Sequence, residues 1–315
     1  MIKCNFIRGD KIESSHLLCG VVIDSNKKII YSCGDPDLSI PARSTLKPFQ
    51  SAASLEKGSY DKFNFTKKEI ALTCASHNGQ KKHISVANSM LKKLKLSKNE
   101  LECGKHPPHL NKNQKTYHCL HNNCSGKHIG MLSLSKALKK NNKKYIQKSH
   151  PVQKTIKTYL EHQLGKKLNE FAIDGCSAPT PYISISEMAY LYARLVEGKN
   201  KELQIIYNAM TSNPFMIGGD KRFDTSFIKA LNQRGVSKGG AEGLLSIGLK
   251  HKNRNIGVCI KTLDGSSRPR GIVAVSLLKK LGLLSKTELQ SLSKYVAPPI
   301  LNLNKIKTGE VKIEF

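Results

Sequence analysis

The sequence predicts a mixed α/β (α+β) fold, in which both ends of the chain build one antiparallel sheet flanked by helices, with a helical insertion between them. Two observations predict it. Strand-like runs cluster at the two ends, at Phe6-Ile7, Leu17 to Ile23 and Lys28 to Ser32, then at Leu244 to Leu249 and Ile256 to Leu263. The middle carries helical periodicity, broken by only one short strand near Phe171 to Ile173. This arrangement suggests one domain over 1–315, with the sheet in about 1–60 and 235–315 and the helices in about 61–234.

The elements follow in order. Asp24-Ser25-Asn26 is turn chemistry and joins the second and third runs into a hairpin. Helical patterns cover Ser44 to Leu55, Thr66 to Thr73 and His83 to Leu94, the last with lysines on its outer side. From Cys103 to Asn123 no period holds, and a loop that long in a compact domain is usually functional or disordered. It delivers Asn122 to His128 onto a helix start, with the helix running on from Ile129 to Leu138. Helices at Val152 to Leu164 and Ser186 to Val196 precede the C-terminal hairpin. Helices at Gly271 to Leu281 and Lys286 to Val296 close the chain.

Composition narrows the function. The 315 residues, 39% hydrophobic, suffice for a substantial core. No run approaches the ~18 apolar residues that cross a bilayer, and the N-terminus lacks an apolar signal core, so a cytoplasmic location and no membrane partner are expected. Nine cysteines make no disulfide framework. The formal charge of +29 would ordinarily point to nucleic acid, but only eight of the 52 basic residues are arginine. No basic stripe interleaved with aromatics accompanies them, so no nucleic-acid partner is expected.

Ser44-Thr45-Leu46-Lys47 spells S-x-x-K behind the Pro41 that marks a helix start. Three residues along a helix bring both side chains onto one face, where a neutral Lys47 amine can take the Ser44 proton. A capping serine with a solvated lysine is the commoner source of the bare motif, and other stretches must decide. A second serine sits in Cys74-Ala75-Ser76-His77-Asn78-Gly79, at the end of a helical pattern. Lys261 lies inside the apolar run Val258 to Leu263; inward it is a costly amine of lowered pKa, outward an ordinary surface lysine. Cys124 lies within one turn of Lys127 and His128, and Cys176 follows Asp174-Gly175. Two thiolates and a nitrogen donor leave one position open, the count of a zinc site that also takes water or substrate. The spacing matches no common zinc motif, and two buried free cysteines also satisfy it.

Taken together, these segments resemble the Rhizobium etli-type L-asparaginases, the class 3 or asparaginase II family, whose fold is like that of serine β-lactamases and glutaminases. The ordered matches are R-S-x-x-K-P at Arg43 to Pro48, C-A-S-H-N-G at Cys74 to Gly79, C-G-x-H-x-P at Cys103 to Pro108 and N-N-C-S-G-K-H at Asn122 to His128. They continue with D-G-C at Asp174 to Cys176, P-x-M-x-G-G-x-x-R-x-D-T at Pro214 to Thr225, K-G-G-A-E-G at Lys238 to Gly243 and K-x-x-D-G at Lys261 to Gly265. Lys221 beside Arg222 falls within one of them.

The resemblance implies two Ser-Lys pairs in one pocket, Ser44 with Lys47 and Ser76 with Lys261. It also implies zinc held by Cys124, Lys127 and Cys176, although coordination chemistry alone would have chosen His128 over a lysine. Arg43, His128, Asn78 and Asp174 are the candidate substrate-binding residues, and the implied assembly is a homodimer. The implied reaction is hydrolysis of L-asparagine to L-aspartate and ammonia through a serine acyl-enzyme. A glutaminase differs by one methylene in the substrate, worth about 1–3 kcal/mol. A β-lactamase would carry K-T-G on a strand beside the pocket, whereas Lys307-Thr308-Gly309 follows the closing helices, where no such sheet edge is expected. A non-enzymatic zinc or nucleic-acid-binding protein accounts for the cysteines and charge, not for two serines each matched to a lysine.

Overall fold

A computed structural model describes all 315 residues. The strands are β1 (Ile2–Arg8), β2 (Lys11–Asp24), β3 (Ile29–Cys33), β4 (Ser39–Pro41), β5 (Phe171–Ile173), β6 (Pro179–Ser184), β7 (Gly235–Gly239), β8 (Leu244–His251), β9 (Arg254–Thr262), β10 (Ile300–Leu301) and β11 (Lys307–Glu314). The main sheet is antiparallel and runs β10-β11-β1-β2-β9-β8-β7, with β3 also paired to β2. The protein is therefore α+β, its sheet drawn from both ends of the chain. A second sheet, β4-β6-β5, takes two of its three strands from the stretch expected to be helical.

The inner half of β2 shows why its sequence reads as a continuous apolar run rather than an alternation. Cys19, Val21 and Ile23 join the larger core beneath the helices of the middle, while Leu18 and Val22 join a smaller core beneath the helix Arg270–Lys280. Period 2 sends neighbours to opposite faces, and both faces are covered. On the larger-core side the helix Ile185–Glu197 lies directly on the sheet. Two glycines permit that approach: a Cβ on Gly257 would strike Ala189 O and Ala193 N, and one on Gly248 would lie 2.6 Å from Tyr192 O.

Helices Lys47–Glu56, Lys67–Thr73, Lys81–Leu94, Ser125–Ala137 and Pro151–Leu164 match the expected segments to within a few residues. The helices Lys201–Ser212 and Phe223–Ala230 and the strands β7 and β11 were not foreseen. The expected helix at Lys286 to Val296 ends at Ser291, followed by a single 3-10 turn at Ser293–Tyr295. Lys307-Thr308-Gly309 opens β11, toward the opposite end of the sheet from β7. All nine cysteines are free.

Candidate functional site

Ser44 stands on a 3-10 turn, Arg43–Leu46, that leads into the helix beginning at Lys47, where Pro48 occupies a first-turn position. The turn hangs from β6: Ala42 N–H donates to Pro181 O (2.9 Å) and Arg43 N–H to Thr180 Oγ1 (2.8 Å). Arg43 sits in the left-handed region at φ +47°, a conformation a non-glycine residue keeps only where its surroundings hold it. Ser76 lies beyond the helix Lys67–Thr73 and is pinned by its own N–H to Ile217 O (2.9 Å). Strand β7 packs against the Ser44 turn.

Lys47 is fully buried, and its Nζ reaches Ala75 O (2.6 Å), Ser76 Oγ (2.9 Å) and Asn123 O (3.5 Å). The two carbonyls only accept, so they take two N–H groups. The contact with Ser76 can be made with either partner donating, so the amine can hold or release a proton without losing a hydrogen bond.

The expected pairing of Ser76 with Lys261 is not formed. Lys261 is half-buried, and its amine donates to Glu242 O and Thr262 O, both at 2.6 Å. The second amine near the Ser44 turn is instead Lys238 of β7, fully buried, 3.7 Å from Asp224 Oδ2 and bonded to Gly239 O at 2.6 Å. Burial pushes Lys238 down to about 7; the Lys47 charge works in the same direction and Asp224 opposes it. Asp224 is itself held as a carboxylate, against burial, by Lys238 and by hydrogen bonds from Gly239 N–H and Ser237 Oγ.

The remaining candidates divide. Cys124 Sγ, Cys176 Sγ and an Asp174 carboxylate oxygen lie within 4.8 Å of one another, and Lys127 Nζ donates to Cys176 Sγ at 2.8 Å. A hydrogen bond from Cys124 and the nearby Lys127 ammonium hold the Cys176 thiol down at about 5 against burial. The same hydrogen bond and burial push Cys124 up to about 12. Asp174 takes a hydrogen bond from Arg43 Nε at 2.6 Å; burial works against its ionisation, but Lys127 and Arg43 hold it at about 2. Two sulfurs and a carboxylate thus converge, a soft-leaning donor set that fits a zinc-like cation; Lys127, held as an ammonium against burial by the thiolate and Asp174, would join it only after losing its proton.

His128 does not face substrate space. It is fully buried against Tyr145, with Nδ1 2.7 Å from the hydroxyl and Nε2 unpartnered, and burial pushes it down to about 3. Nor is it among the clustered donors. Asn78, also buried, lies under the site, donating to Asp220 O at 2.8 Å and accepting from Arg222 at 3.4 Å.

A cavity of about 480 Å³ collects these groups. Ser44, Ser76, Arg43, Asp174 and the two cysteines form one part of its wall, and His106, His109, Arg222 and Arg270 another. The long loop is tied in by Asn122 Nδ2 to Cys103 O (2.7 Å) and by Asn123 N–H to His106 Nε2 (3.0 Å). Burial, with Arg222 nearby, pushes His109 down to about 4, so it is neutral at pH 7. Lys238, Arg222, Arg270 and the two histidines are site residues the sequence reasoning passed over. Lys238 and Arg222 stood inside quoted segments, but nothing in their spacing marked them.

A small polar cavity faced by arginine suits a hydrolase of small polar molecules. The chain belongs to the L-asparaginase II family: the family's sequence model matches residues 4–313. It is accordingly an asparaginase-type amidohydrolase acting on a small-molecule substrate. No curated protein matches it. Similar solved structures include a variant of the last common ancestor of Gram-negative class A β-lactamases, 14% identical over 84% of this chain and 94% of that one, with a TM-score of 0.43. Others are a Vibrio parahaemolyticus chromosomal β-lactamase mutant (15%, 85% and 92%, TM-score 0.40) and a Streptomyces albus G β-lactamase (13%, 80% and 87%, TM-score 0.38). No helix is long and apolar enough to cross a membrane.

Proposed function

We propose that the protein hydrolyses L-asparagine to L-aspartate and ammonia through a serine acyl-enzyme, with Ser44 as the nucleophile. The observation that carries this reading is the sealed Lys47 amine, one turn from Ser44 and hydrogen-bonded to Ser76. Ser44 Oγ lines the cavity and has no hydrogen-bond partner of its own, so it is free to meet a carbonyl carbon.

The Ser44 proton passes to the Lys47–Ser76 pair as the Oγ–carbon bond forms. The pair then returns it to the amide nitrogen as the C–N bond breaks and ammonia leaves. Water, losing its proton to the same pair, hydrolyses the β-aspartyl ester and restores Ser44. Below about pH 7 Lys238 also carries a proton, and its charge opposes the uptake of another by the Lys47–Ser76 pair; above that pH the repulsion is gone. Arg222, Arg270 and the Arg43 Nη groups that Asp174 leaves free are the carboxylate-pairing groups of the cavity.

Cys124, Cys176, Asp174 and Lys127 would hold a zinc ion. Bound there, it would supply Lewis acidity and fixed positive charge at the cavity wall. The chain's own residues in that corner orient Arg43 and keep the Asp174–Cys176 turn in place.

The test is coupled detection of ammonia from L-asparagine and from L-glutamine. Ser44→Ala should lower kcat by at least about 10³-fold while the circular dichroism spectrum is unchanged. A folded Ser44→Ala protein with near-normal turnover would overturn the nucleophile assignment.

A further inference from the structure

A second cavity, of about 640 Å³, shares no lining residue with the one around Ser44 but meets it at the Arg43–Leu46 turn and at the β5–β6 pair. Its apolar surface comes from Leu46, Ile156, Leu160, Leu168, Phe171 and Pro181. Around it stand four lysines, Lys148, Lys154, Lys157 and Lys167, with a single carboxylate, Glu161.

Glu161 is already spent: it takes Lys157 at 2.5 Å and the Leu168 N–H at 2.8 Å, with Lys167 at 3.8 Å. Lys148 and Lys154 form no ion pair, and the Lys148 ammonium stands 4.8 Å from the centroid of Phe171. Lysines cover this chain generally, and on a convex face they are merely solvated. Here they ring a concavity of ligand size with an aromatic face. That combination selects a flat ring joined to a multiply charged anion, which lysines pair with as point charges.

The cavity is also connected to the site. Leu46 and Gln50 follow Ser44 directly along the chain. Pro181, on the wall, accepts the Ala42 N–H, and the adjacent Thr180 accepts that of Arg43. Phe171 and Pro179 belong to the paired strands β5 and β6, which carry Asp174 and Cys176 on their connecting turn. An occupant therefore braces both the strained Arg43 turn and the turn bearing Asp174.

We infer that this cavity is an effector site for a nucleoside monophosphate, with the base against Phe171 and Leu46 and the phosphate on Lys148 and Lys154, and that its occupation activates the chemistry at Ser44. The activity half of this inference rests on the asparaginase reading; the binding half does not.

The experiment uses the full chain and adenosine 5′-monophosphate, with adenosine and inorganic phosphate as separate arms. Thermal shift and calorimetry read binding, and ammonia release from L-asparagine reads coupling. The nucleotide should raise the melting temperature and increase kcat/KM at least about fivefold, with neither fragment alone matching it. Combining Lys148→Glu with Lys154→Glu should abolish both responses and leave basal ammonia release unchanged. Phe171→Ala should weaken the nucleotide response while leaving that to phosphate. No thermal shift in the wild type, or an equal shift in the double variant, overturns the site. Binding without a change in kcat/KM overturns the coupling. A wild type that binds the nucleotide but releases no ammonia from asparagine refutes the asparaginase reading and leaves the site standing.

Discussion

Replacing Asp224 by asparagine should move the acid limb of the pH–rate profile toward lower pH. Lys238 Nζ and Asp224 Oδ2 are 3.7 Å apart, and both side chains are sealed from water. At an effective dielectric of about 20, a unit-charge pair at this separation is worth roughly 4 kcal/mol. One pKa unit corresponds to about 1.4 kcal/mol, so the carboxylate supports the Lys238 ammonium by at most about 3 units. The sign follows from charge. Asp224 favours the protonated lysine, so its neutral isostere lets Lys238 give up its proton more readily than at about 7, and its repulsion of the Lys47–Ser76 proton is gone at lower pH. Asparagine Oδ1 still accepts the Gly239 N–H that Asp224 binds at 2.9 Å, which spares the local fold. The assay is kcat/KM for L-asparagine from about pH 5 to about pH 9, with circular dichroism at each pH. The wild type should lose activity below about pH 7, and the variant's limb should lie at least about one unit lower. A folded variant whose limb stays in place or moves to higher pH would refute the assignment of that limb to Lys238.

Three other substitutions probe separate parts of the molecule. Lys261→Ala should leave kcat and KM close to wild type, because its amine serves only Glu242 O and Thr262 O; a loss as large as that of Ser44→Ala would return it to the catalytic set. Cys176→Ser, reconstituted with zinc and measured by atomic absorption, should retain little metal, and full occupancy would remove Cys176 from the ligand set. Gly257→Ala should lower stability by about 1–3 kcal/mol in urea melts, since the new methyl group meets the Ala189 carbonyl; an unchanged midpoint would show that the helix Ile185–Glu197 can yield.

Much of the fold is legible because local chemistry and tertiary role agree. The β2–β3 turn is an example: Asp24 Oδ1 accepts the N–H groups of both Asn26 and Lys28, as an aspartate at the head of a tight turn does. Strand β7 is the opposite case. Gly235-Val236-Ser237-Lys238-Gly239 has two glycines and a lysine in five residues, which reads as a turn, yet every one of them is buried. Its burial comes from neighbouring elements, and no local period records that. The helix Lys201–Ser212 differs again, for Leu203, Ile206, Tyr207 and Met210 show the ordinary helical spacing; its absence from the expectations has no physical cause.

At the site, spacing could propose pairs within one turn but not pairs across the sheet. Ser44 with Lys47 and Cys124 with Lys127 each lie one turn apart, whereas Cys176 stood out beside Asp174-Gly175 with no spacing that tied it to Cys124. Lys261 and Lys238 both lie in strands near glycines, and composition cannot separate them. Register does: Lys261 lies between Cys19 and Leu244 with its amine turned to the Glu242 loop, while Lys238 closes the sheet edge beside the Ser44 turn.

Two helices meet at the back of the site, one ending just before Ser76 and the other starting just after Cys124, and a Cβ on Gly126 would land on the carbonyl oxygen of Leu72. With backbone against backbone there is no side-chain cushion to absorb a shift, so the thiol corner and the relay serine travel as one body. A descendant that traded this glycine for any other residue would have to prise the helices apart by the breadth of a methyl group. Any metal affinity and turnover would then decline together, though the altered residue itself offers no side chain to either.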